Sequence, residues 1–451
     1  MSYTALEFWG FWVVVLAGVA LLAQRLRGPW LIAASLWFYG APDPMRLVWL
    51  GGVMGLALGA GAMTRHRLAP MGRAGAIAAL VIMLVWAKFP DPLGLPDPSA
   101  PPGLSFIVFT AIALIADSAG RAPSARLGDG VLHLAWFPKL LAGPIERAAT
   151  LMPQLPSIAI RPGLAGLGVA LVITGLIKKL VIADALGPVV AAAYAIPAYA
   201  TPIDLLLASY AFAFQIYCDF SGYADIALGL SALVGLRLSQ NFAQPYLATS
   251  VSEFWAKRWH ITLGQWFRDY VYIPLGGSRR GRLRGMFNLM TVFVLSGLWH
   301  AGLGYGVGWG FLIWGVLNGV WVIAELWLPD PKGVVWRGLR GVLTFHLILL
   351  TWVFFRAETP QDALTILTRI ATALPDLPGL VAVYPFNADQ RFGAAVIGAL
   401  MVVEILSQPR ALAERIAAAP LPLRWAGLYL CLAILLLFGR WQDTSFIYAG
   451  F

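Results

Sequence analysis

Apolar runs recur along nearly the whole chain, interrupted at short intervals by Arg, Pro and Gly, and this pattern predicts a bundle of membrane-crossing helices. Crossing the hydrocarbon takes about 20 mainly apolar residues. Residues 6–23, 45–63, 74–89 and 307–328 meet or approach that length. With shorter candidates included, the expectation is an all-α polytopic membrane protein of roughly 11 crossings, forming a single domain over residues 1–451. The leading ten residues carry Glu7 and no positive charge, so the first run is expected to stay as a span and not to be cleaved as a signal peptide.

Some segments depart from simple spans. Residues 103–117 and 131–142 are short, and both contain or adjoin Pro or Gly. Backbone that leaves helical geometry at membrane depth must be enclosed by protein or line a wet cavity, so these are candidate re-entrant or broken helices. The strip Asp362-Ala363-Leu364-Thr365-Ile366-Leu367 opens an apolar helical spacing within 358–391 and is expected to lie on the outer membrane face. Residues 252–284 mix Phe254, Trp255, Trp259, Trp266, Phe267, Tyr270 and Tyr272 with Lys257, Arg258, Arg268 and Asp269. That blend suits short interfacial helices on the cytoplasmic side, with aromatic rings at headgroup level. Ile273-Pro274-Leu275-Gly276-Gly277 is expected to end them.

Composition agrees with the pattern: 59% of residues are hydrophobic and only 12% charged. The formal charge of +10 first suggests an anionic partner. Its placement gives another meaning. With the N-terminus outside, Arg25, Arg27, Arg65, Arg67, Arg73, Arg121 and Arg126 fall on the cytoplasmic side, and so do Arg279, Arg280, Arg282, Arg284, Lys332, Arg337 and Arg340. The outer loop 90–102 holds Asp91 and Asp97 but no Lys or Arg. Such a distribution marks topology and contact with anionic membrane lipid, not nucleic acid. Cys218 and Cys431 form neither a CxxC pair nor a disulfide framework.

Ionisable side chains inside apolar runs cost about 2.5–3.5 kcal/mol at a helix centre, so each needs a reason. His300 stands in Ser296-Gly297-Leu298-Trp299-His300, with Gly297, Gly302 and Gly304 leaving room for backbone or a ligand. Burial keeps an imidazole neutral, the form a general base requires; the competing role is a hydrogen bond to a neighbouring helix. His260 is a second candidate, or an interfacial anchor beside Trp259 and Arg258. His66, His133 and His346 read as structural. Asp219 and Asp225 cap a helix start after Gly222, pair with Arg or Tyr, or form a proton path; Lys178 and Lys179 read as an anchor between two spans. No GxSxG, phosphate loop, HExxH or cysteine cluster is present, and no ligand spacing calls for a metal.

These segments together resemble the membrane-bound O-acyltransferase family, in the bacterial branch that contains the alginate O-acetyltransferase membrane subunit. The resemblance runs through Gly103-Leu104-Ser105-Phe106, Phe137-Pro138-Lys139-Leu140-Leu141-Ala142-Gly143-Pro144-Ile145, residues 215–225, Gln240-Asn241-Phe242-Ala243-Gln244-Pro245-Tyr246, residues 254–278, Ser296-Gly297-Leu298-Trp299-His300 and Trp352-Val353-Phe354-Phe355-Arg356-Ala357. It implies a helical bundle with a cytoplasmic funnel, thin at the histidine. His300 corresponds to the family's catalytic histidine and His260 to an upstream one. Ser296 and Trp299 are candidates for steadying an oxyanion, and Asn241, Arg268 and Asp269 for lining the substrate channel. Ala301, where a glycine commonly follows, and the ending Phe446-Ile447-Tyr448-Ala449-Gly450-Phe451 depart from the alginate pattern.

The implied activity is acyl transfer without a permanently bound cofactor. Acetyl-CoA or another activated acyl thioester is the expected donor, with a periplasmic acetyltransferase partner and an exopolysaccharide such as alginate as final acceptor. The implied location is a bacterial inner membrane. D-alanyl transfer to teichoic acid is the alternative within enzymes. A proton-coupled transporter or flippase, relaying protons through Asp117, Asp219, Asp225 and His300, is the alternative outside them.

Overall fold

A computed structural model describes residues 3–62, 68–90, 94, 100–118, 126–301, 308–329, 332–441 and 446–447. Arg65, His66, Arg67, Asp91, Asp97, Arg121, Gly302, Gly304 and Tyr448 to Phe451 lie outside them. Regular structure among the described residues is helical throughout. Among the described residues, eight helices are long and apolar enough to cross a membrane: Met45–Ala62, Ala69–Lys88, Pro162–Tyr194, Pro202–Leu233, Val334–Arg356, Pro360–Val383, Ala388–Ser407 and Leu421–Phe438. Leu6–Leu21, Leu104–Asp117 and Trp309–Glu325 are shorter apolar helices. Val13, Ile82, Val342, Leu406 and Leu430 point outward on these elements. Such apolar outer faces suit hydrocarbon, and the chain is a multi-pass membrane protein.

The core is built on Pro162–Tyr194 and Pro202–Leu233, which pack along most of their lengths. Glycine makes the approach possible. A Cβ on Gly175 would stand 2.7 Å from the Gly222 carbonyl oxygen, and one on Gly229 2.7 Å from that of Gly168. Small residues facing one another let two backbones touch, the usual device where lipid gives no hydrophobic drive to association.

Beside this seam the first helix widens into a π turn over Ile177–Ala183. Lys178 and Lys179 therefore do not anchor a boundary between two spans: they lie within one continuous 33-residue helix. Lys179 Nζ reaches Asp184 at 2.8 Å and Asp219 at 2.7 Å, while Lys178 Nζ reaches Asp225 at 2.7 Å. Asp219 and Asp225 sit well inside Pro202–Leu233 and cap no helix start. Their polarity is matched by lysine across the seam, which removes the cost of isolated charge in a low-dielectric site.

Of the two segments expected to be re-entrant or broken, one is a short unbroken helix and the other is broken. Leu104–Asp117 has 14 residues, about 21 Å of helix, and it is buried on nearly every side. Leu127–Ala135 stops at Trp136 and resumes as Phe137–Leu140, with both pieces in the protein interior. The segment 252–284 also forms short helices, Val251–Glu253, Phe254–Arg258, Ile261–Phe267 and Arg268–Tyr272, and ends in turns before Arg282–His300. Its aromatic rings differ from expectation. Phe254, Trp259, Trp266 and Phe267 are core residues, and the exposed face is Ala256, Lys257, Gln265 and Arg268. The strip from Asp362 lies in the amphipathic helix Pro360–Ala373, with Ala363 and Ile366 turned inward.

Candidate functional site

His300 is the last residue of Arg282–His300. Close helix crossing sets its position: a Cβ on Gly297 would meet the Phe311 carbonyl oxygen at 2.6 Å, and one on Gly315 would meet that of Phe293 at 2.5 Å. The room left by Gly297 is thus taken by backbone, and Trp309–Glu325 is drawn against the histidine. The ring is enclosed by Trp299 at 4.4 Å, Trp314 at 4.9 Å and Phe355 at 5.4 Å, with Phe311 stacked at 6.3 Å.

The hydrogen bond made by this imidazole defines its chemistry. Its Nδ1 lies 2.7 Å from the Ser296 carbonyl oxygen, one turn earlier. A carbonyl only accepts, so Nδ1 carries the hydrogen and the ring's lone pair is on Nε2. Ser296 thus serves His300 through its backbone.

His260 is held in a different way with the same result. It starts Ile261–Phe267 in a left-handed conformation, φ 43° and ψ 52°, which is uncommon for a residue with a side chain. Its Nδ1 lies 3.1 Å from Asn241 Oδ1. That oxygen also accepts from the Thr262 N–H at 3.3 Å and the Thr262 hydroxyl at 2.9 Å, and the Asn241 carbonyl accepts from the Ile261 N–H at 3.0 Å. Nδ1–H is therefore again the donor, and Nε2 keeps the lone pair. Among the described residues this buried Nε2 has no hydrogen-bond partner.

The two imidazoles belong to one aromatic cluster. His260 stacks on Phe106 at 5.9 Å and meets the edge of Phe220 at 4.8 Å; Phe106 in turn lies 6.3 Å from Trp299. His260 is within electrostatic reach of His300. Phe106 comes from the short buried helix Leu104–Asp117, so that interruption of the bundle supplies a wall between the histidines.

Of the other sequence candidates, Trp299 packs on His300 and Asn241 bonds His260. Arg268 and Asp269 belong to another network: Arg268 pairs with Asp269 at 2.8 Å, Asp269 with Arg147 at 2.9 Å, and Arg147 covers the Tyr270 ring, whose hydroxyl donates to Asp117 at 2.7 Å. His346 is engaged by Tyr210 and the Val342 carbonyl, while His133 is buried in the Leu127–Ala135 helix. Sequence reasoning missed Lys88. Its ammonium lies 5.7 Å from the Trp299 ring centroid and is close enough to His300 to act on its charge. The available signal was a lone lysine inside the apolar run 74–89.

Fold and site together define a polytopic helical membrane protein that encloses two oriented histidines in an aromatic wall. The model of the membrane-bound O-acyltransferase family matches residues 130–328, a stretch containing both histidines. The chain is 34% identical over 353 residues to a probable alginate O-acetylase of Pseudomonas fluorescens, covering 75% of this chain and 69% of that protein. A probable alginate O-acetylase of Azotobacter vinelandii is 41% identical over 263 residues, 57% of this chain and 51% of the relative. A peptidoglycan O-acetyltransferase of Helicobacter pylori is 36% identical over 251 residues, 53% and 46% of the two. The chain spans about half the length of the Azotobacter and Helicobacter proteins. It belongs to the membrane-bound O-acyltransferase family.

Proposed function

We propose that this protein is an O-acetyltransferase that carries acetyl groups from a cytoplasmic thioester donor, acetyl-CoA by preference, to a hydroxyl on the outer side of a bacterial inner membrane. The observation that carries the proposal is the Nδ1–H of His300 committed to the Ser296 carbonyl, which leaves Nε2 as a basic nitrogen among aromatic rings. The relatives named as O-acetylases of alginate and an O-acetyltransferase of peptidoglycan support an envelope polysaccharide as the final acceptor.

The reaction proceeds as follows. Nε2 of His300 takes the proton of the acceptor hydroxyl as its oxygen attacks the thioester carbonyl. The tetrahedral intermediate collapses, the C–S bond breaks, and the thiolate leaves with the proton returned by His300. Trp299 Nε1 and nearby backbone N–H groups are the donors proposed for the transient oxyanion. His260, oriented by Asn241, keeps a second basic nitrogen next to the reacting atoms. The donor enters past the 252–284 segment, and a periplasmic partner protein accepts the acetyl group before the polymer does.

The carboxylates argue against a proton-relay transporter. Asp219 and Asp225 pair with Lys179 and Lys178, and Asp117 accepts from Tyr270. The test compares polymer acetyl content in cells carrying wild-type protein or His300→Ala at equal membrane abundance. Acetylation should disappear in the variant; unchanged acetylation would refute the assignment. Labelled acetyl-CoA offered against a carrier-bound D-alanyl thioester separates acetyl from D-alanyl transfer, and label on a periplasmic protein before the polymer tests the relay.

A further inference from the structure

Away from the histidines, a cavity of about 570 Å³ opens between Pro162–Tyr194, Pro202–Leu233, Ala388–Ser407 and Leu421–Phe438. That volume lies in the range of ligand sites. Leu171, Val181, Leu228, Val396 and Leu400 give it an apolar shaft. Membrane-length helices supply most of its walls, with residues 236–244 and 409–414 supplying the rest, so the bilayer is the route for an apolar occupant.

One region of the lining is polar. Tyr217 donates its hydroxyl to Glu404 Oε1. Glu404 is 6% exposed, and its Oε2 has no hydrogen-bond partner among the described residues. Lys178, also in the lining, is matched by Asp225 at 2.7 Å. Glu404 Oε2, within electrostatic reach of Lys178, is thus left without a hydrogen-bond partner, and a ligand bearing N–H would satisfy it; leaving such a group buried and unpaired is costly.

We propose that this cavity binds a membrane phospholipid with an ammonium headgroup, its chain in the apolar shaft and its ammonium on Glu404 Oε2. An apolar chain and an N–H donor are the two features that the lining complements. The site is separate from the acyl-transfer proposal. Tyr217 and Phe242 line it, and Phe242 packs against Trp259 at 5.1 Å.

The test purifies the full chain in detergent and weighs retained lipid by native mass spectrometry. Stripped protein is then titrated with phosphatidylethanolamine and phosphatidylglycerol of matched chains. Wild type should retain the ethanolamine lipid and bind it more tightly, and Glu404→Gln, which keeps an acceptor for Tyr217, should weaken that binding roughly tenfold or more. Ala399→Trp, which fills the shaft without touching Glu404, should abolish lipid retention of either type. Equal binding of the two lipids, or undiminished retention in both variants, overturns the proposal. A change in acetyl transfer bears on the other proposal alone.

Discussion

Asn241 Oδ1 accepts from His260 Nδ1 at 3.1 Å and from the Thr262 hydroxyl at 2.9 Å, so one amide oxygen orients an imidazole and fixes the start of the helix that follows it. Thr262 in turn accepts from the Ile145 N–H at 3.0 Å. This ties the Phe137–Leu140 region of the sequence to the histidine pocket. Asn241→Leu strands several buried donors, and each such loss costs about 1–3 kcal/mol. The expected result is a lowered melting temperature in detergent together with weakened acetyl transfer. Wild-type melting behaviour in Asn241→Leu would show that the amide is dispensable.

The lysine–aspartate seam should behave as a unit. Lys179→Met leaves Asp219 and Asp184 facing each other without their shared cation, and breaking a buried pair in this way typically costs about 3–5 kcal/mol. Lys179→Met is predicted to reduce folded yield severely. Adding Asp219→Leu and Asp184→Leu should recover much of it. Thermal unfolding of the single and triple variants checks this, and an equally unstable triple variant would contradict it.

Glycine substitutions should divide by contact. Gly297→Ala forces a Cβ to 2.6 Å from the Phe311 carbonyl oxygen, whereas Gly10→Ala meets nothing within 4 Å. Overpacking costs about 1–3 kcal/mol, so Gly297→Ala should lower stability and acetyl transfer together while Gly10→Ala changes neither. Melting curves and transfer rates measured side by side provide the comparison.

In the 252–284 segment, burial tends to raise the carboxyl pKa of Glu253, but hydrogen bonds from the Thr249 N–H and the Arg258 guanidinium outweigh it and hold the pKa below the usual Glu range. A depressed folded value stabilises the protein above the unfolded pKa, and that stability is lost as pH falls through the folded value. Wild type should therefore lose melting temperature below the ordinary carboxylate range. Glu253→Gln, already lacking this contribution, should lose less over the same acid window.

Much of this organisation was legible in the chain because lipid imposes simple rules. Runs of apolar residues had to be helices, and His300 had to be explained because an imidazole in such a run is expensive. The shortness of 103–117 and the break near Trp136 were visible from length and from Pro and Gly. Pairing was not. Lys178 and Lys179 lie some forty residues from Asp225 and Asp219, and only the glycine seam brings them together. Composition also misplaced the aromatic rings from Phe254 to Phe267, since an interfacial belt and a core wall use the same residues; periodicity against Lys257 and Arg268 was the better guide. Lys88 was overlooked because nothing in the run 74–89 points toward Trp299, and only the structure puts its ammonium over that ring.

The central claim is that Nε2 of His300 moves the proton in acetyl transfer. The most direct measurement follows label from acetyl-CoA to an acceptor hydroxyl using purified wild type and His300→Gln, matched for folded protein by melting curve. A positioned base contributes about 10²–10⁴-fold, so transfer by His300→Gln should fall by at least about a hundredfold while its melting temperature stays near that of wild type. Transfer by the folded variant at a rate close to wild type would contradict the account.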